Sequence, residues 1–329
     1  MNTTASNNKL KTFLKDFGLI LIFLLLVAVL AVISGGAFVK PGNLISVLKQ
    51  TAVNGILAMG MTFVIISDGI DLSVGSTVGL TGVVACMLAH PVTAGATSGP
   101  GQFPLIIPIL AALAVGALIG SLNGIGIAYG NIPPFIVTLG SMTIVRGLAL
   151  IISGGSPVFD VTKGFEDIAS LKPAGIPVLA IYLILIVAIC AFILQKTVFG
   201  RRVYAIGGNE TAAAVSGINV KRIRVAVYTI AGLLAGLCGL LTASRTITGA
   251  PTAGQSYEMD AIAAVVIGGV SMSGGAGKWH GVVIGALMIA VIANGLDIMR
   301  VDSNFQPVIK GFIIIFAVLM DIRSKGKKA

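Results

Sequence analysis

The sequence predicts an all-α, polytopic membrane protein with about ten transmembrane helices, and three observations support this. Of the 329 residues, 56% are hydrophobic and only 10% are charged, with a mean hydropathy of +1.02, whereas soluble domains contain about 25% charged residues. The apolar residues form runs of about 20, the length that a helix needs to cross a bilayer. The 43 glycines are dispersed among these runs, as in closely packed membrane helices. These features exclude a soluble globular domain and a disordered chain.

Ten apolar runs are candidates for spanning helices. In chain order they are 17–38, 51–67, 72–90, 104–129, 135–152, 176–194, 225–244, 260–275, 277–299 and 308–322. The segment 41–50, before the second run, is apolar on one side and is a candidate for a short interfacial helix. The eighth run is short and rich in glycine and serine, so a re-entrant or broken element is the alternative there.

Ten spans place both termini on one side of the membrane, and the basic residues identify that side as the cytoplasm. Most of the 22 Lys and Arg residues then lie in cytoplasmic segments, which is the usual bias of membrane proteins. The bias also accounts for the net charge of +10 without a nucleic-acid partner. We therefore expect a cytoplasmic N-tail (1–16), one transmembrane domain (17–322) with a cytoplasmic loop at 195–224, and a cytoplasmic C-tail (323–329).

Two stretches of the chain resemble each other. The matching residues are Gly116-Ala117-Leu118, Asn123-Gly124 and Pro134 in the first copy, and Gly285-Ala286-Leu287, Asn294-Gly295 and Pro307 in the second. The copies cover predicted spans four and five, and nine and ten. Because a shift of five spans is odd, the two copies would lie upside down relative to each other. This predicts an inverted repeat of two five-helix halves, an arrangement common in transport proteins.

Small residues recur four positions apart in three of the runs. The patterns are Gly116/Gly120/Gly124, Gly232/Gly236 and Gly281/Gly285. Such spacing lets helix backbones approach closely. We expect packing within one chain, and a seam between two copies of the chain is the alternative for one pattern.

The sequence contains no recognisable catalytic or metal-binding constellation. Its two histidines lie at opposite ends of spans, and no His/Glu pair has metalloprotease spacing. The stretch from Ser271 to Lys278 resembles a phosphate loop at first sight. However, Met272 and Trp279 occupy positions where that motif needs Gly and Ser or Thr. We therefore predict that the chain is not an enzyme and holds no metal and no cofactor.

Two carboxylates, Asp68 and Asp71, flank a turn between the second and third runs. We interpret Asp71, with Ser73, as a turn or cap of the next helix, because a carboxylate there accepts backbone N–H groups and complements the helix dipole. A role in gating transport is the alternative. The spans lack the row of buried carboxylates or histidines expected of a proton-driven carrier, although a sodium site built from carbonyl groups would leave no such mark.

Polar residues inside the predicted spans are candidates for lining a solute pathway. They are Asn54, Asn123, Thr138, Ser141 and Asn294. Polar residues within spans more often form hydrogen bonds between helices than contacts with a solute, and this is the other interpretation of each.

The loop 195–224 is the longest segment predicted to face the cytoplasm. Within it, residues 207–219 are typical of a short helix, since Asn209 is a suitable N-cap, Glu210 follows in the first turn and Gly217 can end it. Such a helix, made mostly of small residues, could fit a groove of a partner protein. A plain connecting loop is the alternative, and the spacing does not decide between the two.

Three separated segments resemble the membrane permeases of bacterial sugar ABC importers, those of ribose importers most of all. The segments are Gly69 to Gly75, Gly207 to Asn219 and Tyr257 to Gly269. They occur in the family's order, and the resemblance extends from about Asn43 to Asp321. It implies a permease subunit of the inner (plasma) membrane that translocates a ribose-like monosaccharide by alternating access.

The resemblance also implies partners. They are a second copy of the chain, a cytoplasmic ATP-binding-cassette ATPase that uses ATP and Mg²⁺, and a periplasmic or extracellular sugar-binding protein. It further implies that residues 209–217 are the coupling helix that docks in the ATPase, with Asn209, Glu210, Thr211, Ala213 and Gly217 as the coupling residues. An ion-coupled secondary carrier and a passive channel are the remaining alternatives.

Overall fold

The computed structural model describes residues 3–93, 101–302, 304–313, 315 and 319, with side chains from residue 18 onward. Its helices are α1 (Thr3–Ile33), α2 (Pro41–Ile66), α3 (Val74–Leu88), α4 (Ile106–Ala128), α5 (Pro134–Ile152), α6 (Lys163–Ser170), α7 (Val178–Lys196), α8 (Val198–Gly208), α9 (Glu210–Val215), α10 (Val220–Thr246), α11 (Tyr257–Ile267) and α12 (Trp279–Ile298). A 3₁₀ turn, Pro173–Gly175, precedes α7, and residues 306–313 are also helical.

Within the described residues, six helices are long and apolar enough to cross a membrane. They are α2, α4, α5, α7, α10 and α12. Shorter apolar helices, Gly18–Ile33 within α1 and the whole of α3, occupy the first and third predicted runs. The chain is thus an all-helical, multi-pass membrane protein, while the predicted count of ten spans is not confirmed.

Several predicted boundaries need correction. The helix α2 already begins at Pro41, so the segment 41–50 is its first part rather than a separate interfacial helix. Proline suits this position because the first N–H of a helix has no partner to lose. At the N-terminus, α1 begins at Thr3, inside the predicted 1–16 tail. The predicted C-tail, 323–329, lies outside the described residues.

The eighth predicted run, 260–275, is not a spanning helix. Its helix, α11, has 11 residues and is about 16 Å long at 1.5 Å per residue, roughly half of the hydrocarbon core. The helix ends because the chain turns back at glycines with backbone angles that other residues rarely adopt, with φ of +81° at Gly269, +71° at Gly274 and +69° at Gly275.

The chain reaches α11 through a non-helical segment, 249–256, which runs along α3. Gly249 pairs with Val158 in the loop after α5 and lies against Cys86, near the end of α3. Further on, Gly254 lies against Gly75, near the start of α3. The stretch of α3 from Cys86 back to Gly75 is about 16 Å long. We call residues 249–267 the broken span, since an irregular segment is followed by the short helix α11. A broken element is the alternative that the sequence left open for this run.

Glycines hold α4 and α10 together. A Cβ atom on Gly116, Gly120 or Gly124 would collide with the backbone of α10, and one on Gly232 or Gly236 would collide with the backbone of α4. In the third pattern, Gly285 meets the backbone of α11 and Gly281 meets that of Gly268, the residue after α11. All three small-residue patterns therefore pack within one chain, as the sequence predicted.

Two helices, α6 and α8, were missed by the sequence analysis. The helix α8 begins where the Thr197 hydroxyl accepts a hydrogen bond from the Gly200 N–H at 3.1 Å. Its Arg201 and Arg202 are exposed while Val203 is buried, so α8 lies with one face on the protein. It was overlooked because only one face of a short helix is apolar.

Candidate functional site

The helix α9 is built by local capping signals. The Asn209 side chain accepts a hydrogen bond from the Ala212 N–H at 2.8 Å, which satisfies a backbone group that the first turn of a helix leaves free. At the other end, Gly217 has φ +83°, and the N–H of Ile218 reaches back to the carbonyl of Ala213 at 3.1 Å. The short helix predicted from these residues is present.

Most of α9 faces outward. Ala213 is the buried contact that holds it, with 4% exposure, while Glu210, Thr211 and Gly217 are exposed. Val215, which the sequence analysis did not single out, is 86% exposed. An isolated apolar side chain on a helix of small residues provides a compact, shallow contact surface.

An ion pair connects α9 to α10. The Arg224 guanidinium donates to the Glu210 carboxylate at 2.8 Å. One turn further along α10, the buried Tyr228 hydroxyl donates to the carbonyl of Ile70 at 3.1 Å. Asp68 lies in the same turn as Ile70, and burial raises the pKa of its carboxyl group. The positive charge of Arg224 opposes this rise, and the negative charge of Glu210 adds to it. The helix α10 thus contacts both α9 and the turn 67–73.

The glycine-rich turn after α11 packs on the end of α2. The Gly275 N–H donates to the carbonyl of Ile66 at 2.9 Å, and the Tyr204 hydroxyl of α8 donates to the carbonyl of Gly277 at 2.9 Å. Gly207 allows this approach, because a Cβ there would overlap the carbonyl of Ile66. This turn therefore joins closely packed helices, as the sequence predicted.

Asp71 organises the start of α3. One of its carboxylate oxygens accepts the backbone N–H of Ser73 at 2.9 Å and the Ser73 hydroxyl at 2.7 Å. The Asn123 amide of α4 donates to that same hydroxyl oxygen at 2.8 Å. Asp71 is 1% exposed, and within the described structure its other oxygen, Oδ2, has no hydrogen-bond partner. The carboxylate closes a turn ahead of α3 rather than bonding N–H groups inside the helix.

The structure brings together two of the five candidate pathway residues. Asn123 and Ser141 line a groove of about 430 Å³ between α4 and α5. Thr138 lies on the same helix as Ser141, but its hydroxyl donates to the carbonyl of Pro134 at 2.9 Å. Asn123 is also committed to its bond with Ser73, so the groove is largely apolar.

The other two candidates lie elsewhere. Asn294 on α12 exchanges two amide hydrogen bonds with Asn43 on α2, at 2.8 and 2.9 Å. This is the helix-to-helix bond that the sequence analysis held as the alternative. Asn54 is buried in α2 at 4% exposure.

A polar cavity that the sequence analysis missed lies between α5 and the broken span. It measures about 650 Å³, and its lining includes Arg146, Gln255 and Glu258. The signal was available, because Arg146 is a charged residue in the middle of the apolar run 135–152, and such residues commonly mark functional sites. Next to the cavity residues, Asp260 pairs with Lys310 at 2.8 Å, with side chains 6% and 18% exposed.

Comparison with known families identifies the chain's relatives. The model of a family described as the permease component of branched-chain amino acid transport systems matches residues 43–318, which is most of the chain. The chain belongs to this permease family. The matched range includes α9, the turn 67–73 and the cavity beside Arg146, so these parts of the permease lie in the region common to the family.

Individual relatives match the permease along nearly their whole length. The ribose import permease protein of Haemophilus influenzae is 39% identical over 98% of this chain and 97% of its own. That of Bacillus subtilis is 42% identical over 91% of this chain and 90% of its own. The xylose transport system permease protein of Haemophilus influenzae is 36% identical over 97% and 99%. No solved structure matches the permease.

Proposed function

We propose that this chain is the membrane-spanning subunit of an ATP-binding-cassette importer that carries a ribose-like monosaccharide. The observation that carries the proposal is the near-full-length similarity to two kinds of pentose permease. The family description names branched-chain amino acids, but the individual relatives are named for ribose and xylose. None of these names describes an ion-coupled secondary carrier, the alternative that the sequence left open.

The proposed topology has about ten spans in one permease domain, 17–322, with both termini in the cytoplasm of an inner-membrane protein. The six long helices and two shorter apolar helices support it, and the broken segment 249–268 and the helix at 306–313 supply further candidates. The predicted inverted repeat of two five-helix halves belongs to the same proposal.

Each proposed partner has a separate role in transport. A cytoplasmic ATPase hydrolyses ATP with Mg²⁺, an extracellular or periplasmic binding protein delivers the sugar, and a second copy of this chain completes the pathway. The chain itself is not an enzyme and needs no cofactor. The ATPase would dock on α9, where Asn209, Glu210, Thr211 and Gly217 surround an outward face whose apolar contact is Val215, while Ala213 anchors α9 to the protein.

Alternating access would begin at α9. When the ATPase subunits close, they pull α9, and the ion pair between Glu210 and Arg224 passes the pull to α10. From α10, the bond of Tyr228 to Ile70 reaches the turn before α3, which Asn123 of α4 also contacts through Ser73. The ATPase can shift the permease between its inward-facing and outward-facing states only because it makes different contacts with each of them.

Reconstitution into liposomes tests the function. The chain with its ATPase and binding protein should accumulate D-ribose or D-xylose only when ATP is supplied. The chain alone should accumulate neither sugar under a sodium or proton gradient. Accumulation by the isolated chain would overturn the proposal in favour of a secondary carrier.

Alanine substitutions of two glycines on either side of α9, Gly217 and Gly208, test its coupling role. Gly217→Ala forces a side chain into a left-handed conformation, φ +83°, at a cost of about 1–2 kcal/mol. It should lower both sugar uptake and the stimulation of the ATPase. Gly208→Ala is the matched control, because a Cβ there meets nothing within 4 Å. Equal activity of the two variants would contradict the assignment of α9 as the coupling helix.

A further inference from the structure

The polar cavity lies beside α5, one of the helices long enough to cross a membrane. Its walls are α5 on one side and the non-helical segment 249–256 with the first turn of α11 on the other. The non-helical segment reaches about 16 Å along α3 from the end near Cys86. Irregular backbone occurs within a membrane only where protein buries it or where it lines a water-filled space. The non-helical segment must therefore either be buried by neighbouring protein or line a water-filled cavity.

Arg146 supplies part of that contact. Its Nη1 atom donates to the carbonyls of Pro251 and Ala253, the latter at 2.9 Å. A guanidinium has five N–H donors. The two hydrogen bonds that Arg146 makes to described residues both come from Nη1. The same side chain lines the cavity, so its other donors are available to a molecule bound there.

Glu258 contributes a carboxylate from the opposite wall. It lies in the first turn of α11 and packs against Gly75. A side chain at position 75 would collide with the Glu258 carboxylate and displace it. The groups that act on this carboxylate include the backbone N–H groups of Ser256 and of Glu258 itself, and the charges of Arg146 and Asp260. Glu258 and Arg146 attract each other electrostatically, but they are not among the four ion pairs in contact within the described residues. Ionisable residues kept inside a membrane protein commonly mark a functional site.

Neutral polar groups complete the cavity. Gln255 lines it with an exposed side chain, beside the hydroxyl groups of Thr143, Thr252 and Ser256. The volume of about 650 Å³ falls within the range of roughly 300–1,000 Å³ that small-molecule sites occupy. Met142 and Leu150 add apolar surface. The lining therefore offers donors, acceptors and a carbon surface, and its described residues include no aromatic ring.

We propose that this cavity is the site where the transported sugar rests within the membrane, with its hydroxyl groups bonded to Arg146, Glu258 and Gln255. The inference rests on the proposed function as a sugar permease. A sugar hydroxyl both donates and accepts hydrogen bonds, which matches a guanidinium, a carboxylate and an amide placed around one space. The absence of an aromatic face from the lining makes the site weak, as a site that must release its sugar in each cycle requires.

The test uses the complete importer in liposomes, with sugar uptake and ATP hydrolysis measured on the same preparation. Glu258→Gln should lower the number of D-ribose molecules moved per ATP by about tenfold, the loss expected from removing one charged hydrogen bond. Gln255→Ala should lower it by about threefold, while stimulation of the ATPase by the loaded binding protein is retained in both. Glu166→Gln, at a carboxylate of α6 that does not line the cavity, is the matched control and should leave the ratio unchanged.

The outcomes separate this inference from the proposed function. Wild-type importer that moves neither D-ribose nor D-xylose would overturn the function itself. If the wild type transports and both variants keep its ratio of sugar to ATP, the function stands and the cavity is not the sugar site. A parallel loss of uptake and ATP hydrolysis in Gln255→Ala would also overturn the site, since it indicates a structural defect. Gln255→Ala decides the matter if Glu258→Gln is not recovered from the membrane.

Discussion

Replacing Gly124 by alanine tests the close contact between α4 and α10. The added Cβ would lie 2.7 Å from the Cα of Val225, where ordinary contact begins at 3.4 Å. The obstacle is backbone, which no side-chain rotation can move. The two helices would have to separate by about 0.7 Å, and overpacking of this kind costs about 1–3 kcal/mol. We expect a clear loss of thermal stability in Gly124→Ala.

The matched control is Gly140→Ala on α5. That glycine is also inside a helix, but a Cβ there meets nothing within 4 Å, and alanine favours a helix over glycine by up to about 1 kcal/mol. The assay is the midpoint of thermal unfolding of the detergent-purified proteins. Gly124→Ala should unfold several degrees below the wild type, and Gly140→Ala at or above it. Equal midpoints for the two variants would refute the packing argument.

Three further predictions concern charged groups. Arg224→Glu should lower sugar uptake at least threefold, and adding Glu210→Arg should restore most of it; no recovery would contradict the ion-pair link. Lys310→Met should destabilise the protein by about 3 kcal/mol, because it leaves the buried Asp260 unpaired, and adding Asp260→Leu should reverse most of the loss. Burial raises the pKa of Asp68 above 3.8, so charging it costs stability as the pH rises. Asp68→Asn should therefore raise the midpoint at pH 7, and a gain that persists undiminished below pH 3.8 would contradict this.

The sequence predicted α9 well because its ends depend on neighbouring residues. Asn209 and Gly217 act within three or four positions of themselves, and capping chemistry of this range is legible in a sequence. The six long helices were predicted for a similar reason, since a continuous apolar run identifies a span without knowledge of its neighbours.

The composition of the eighth run suggested a broken element as an alternative, but the course of the irregular segment could not be predicted in this way. That segment depends on Gly75 and on Arg146, which lie far from residues 249–256 in the chain. A local apolar pattern cannot distinguish a straight helix from one whose first half is replaced by such contacts. The partners of polar residues within the spans could not be predicted either, because they are brought together only by the fold. Asn294, for example, bonds to Asn43, which lies far away in the chain.

The distribution of tight and loose contacts suggests which parts of the permease move together. Gly116, Gly120 and Gly124 leave no space between α4 and α10, so a pull on α10 must carry α4 with it. The helix α5 is different, because Gly140 and Gly147 meet nothing within 4 Å. The cavity beside Arg146 lies between α5 and the broken span, at the boundary between these two kinds of packing. We therefore expect the transport cycle to change the width of this cavity, while the contact between α4 and α10 stays fixed.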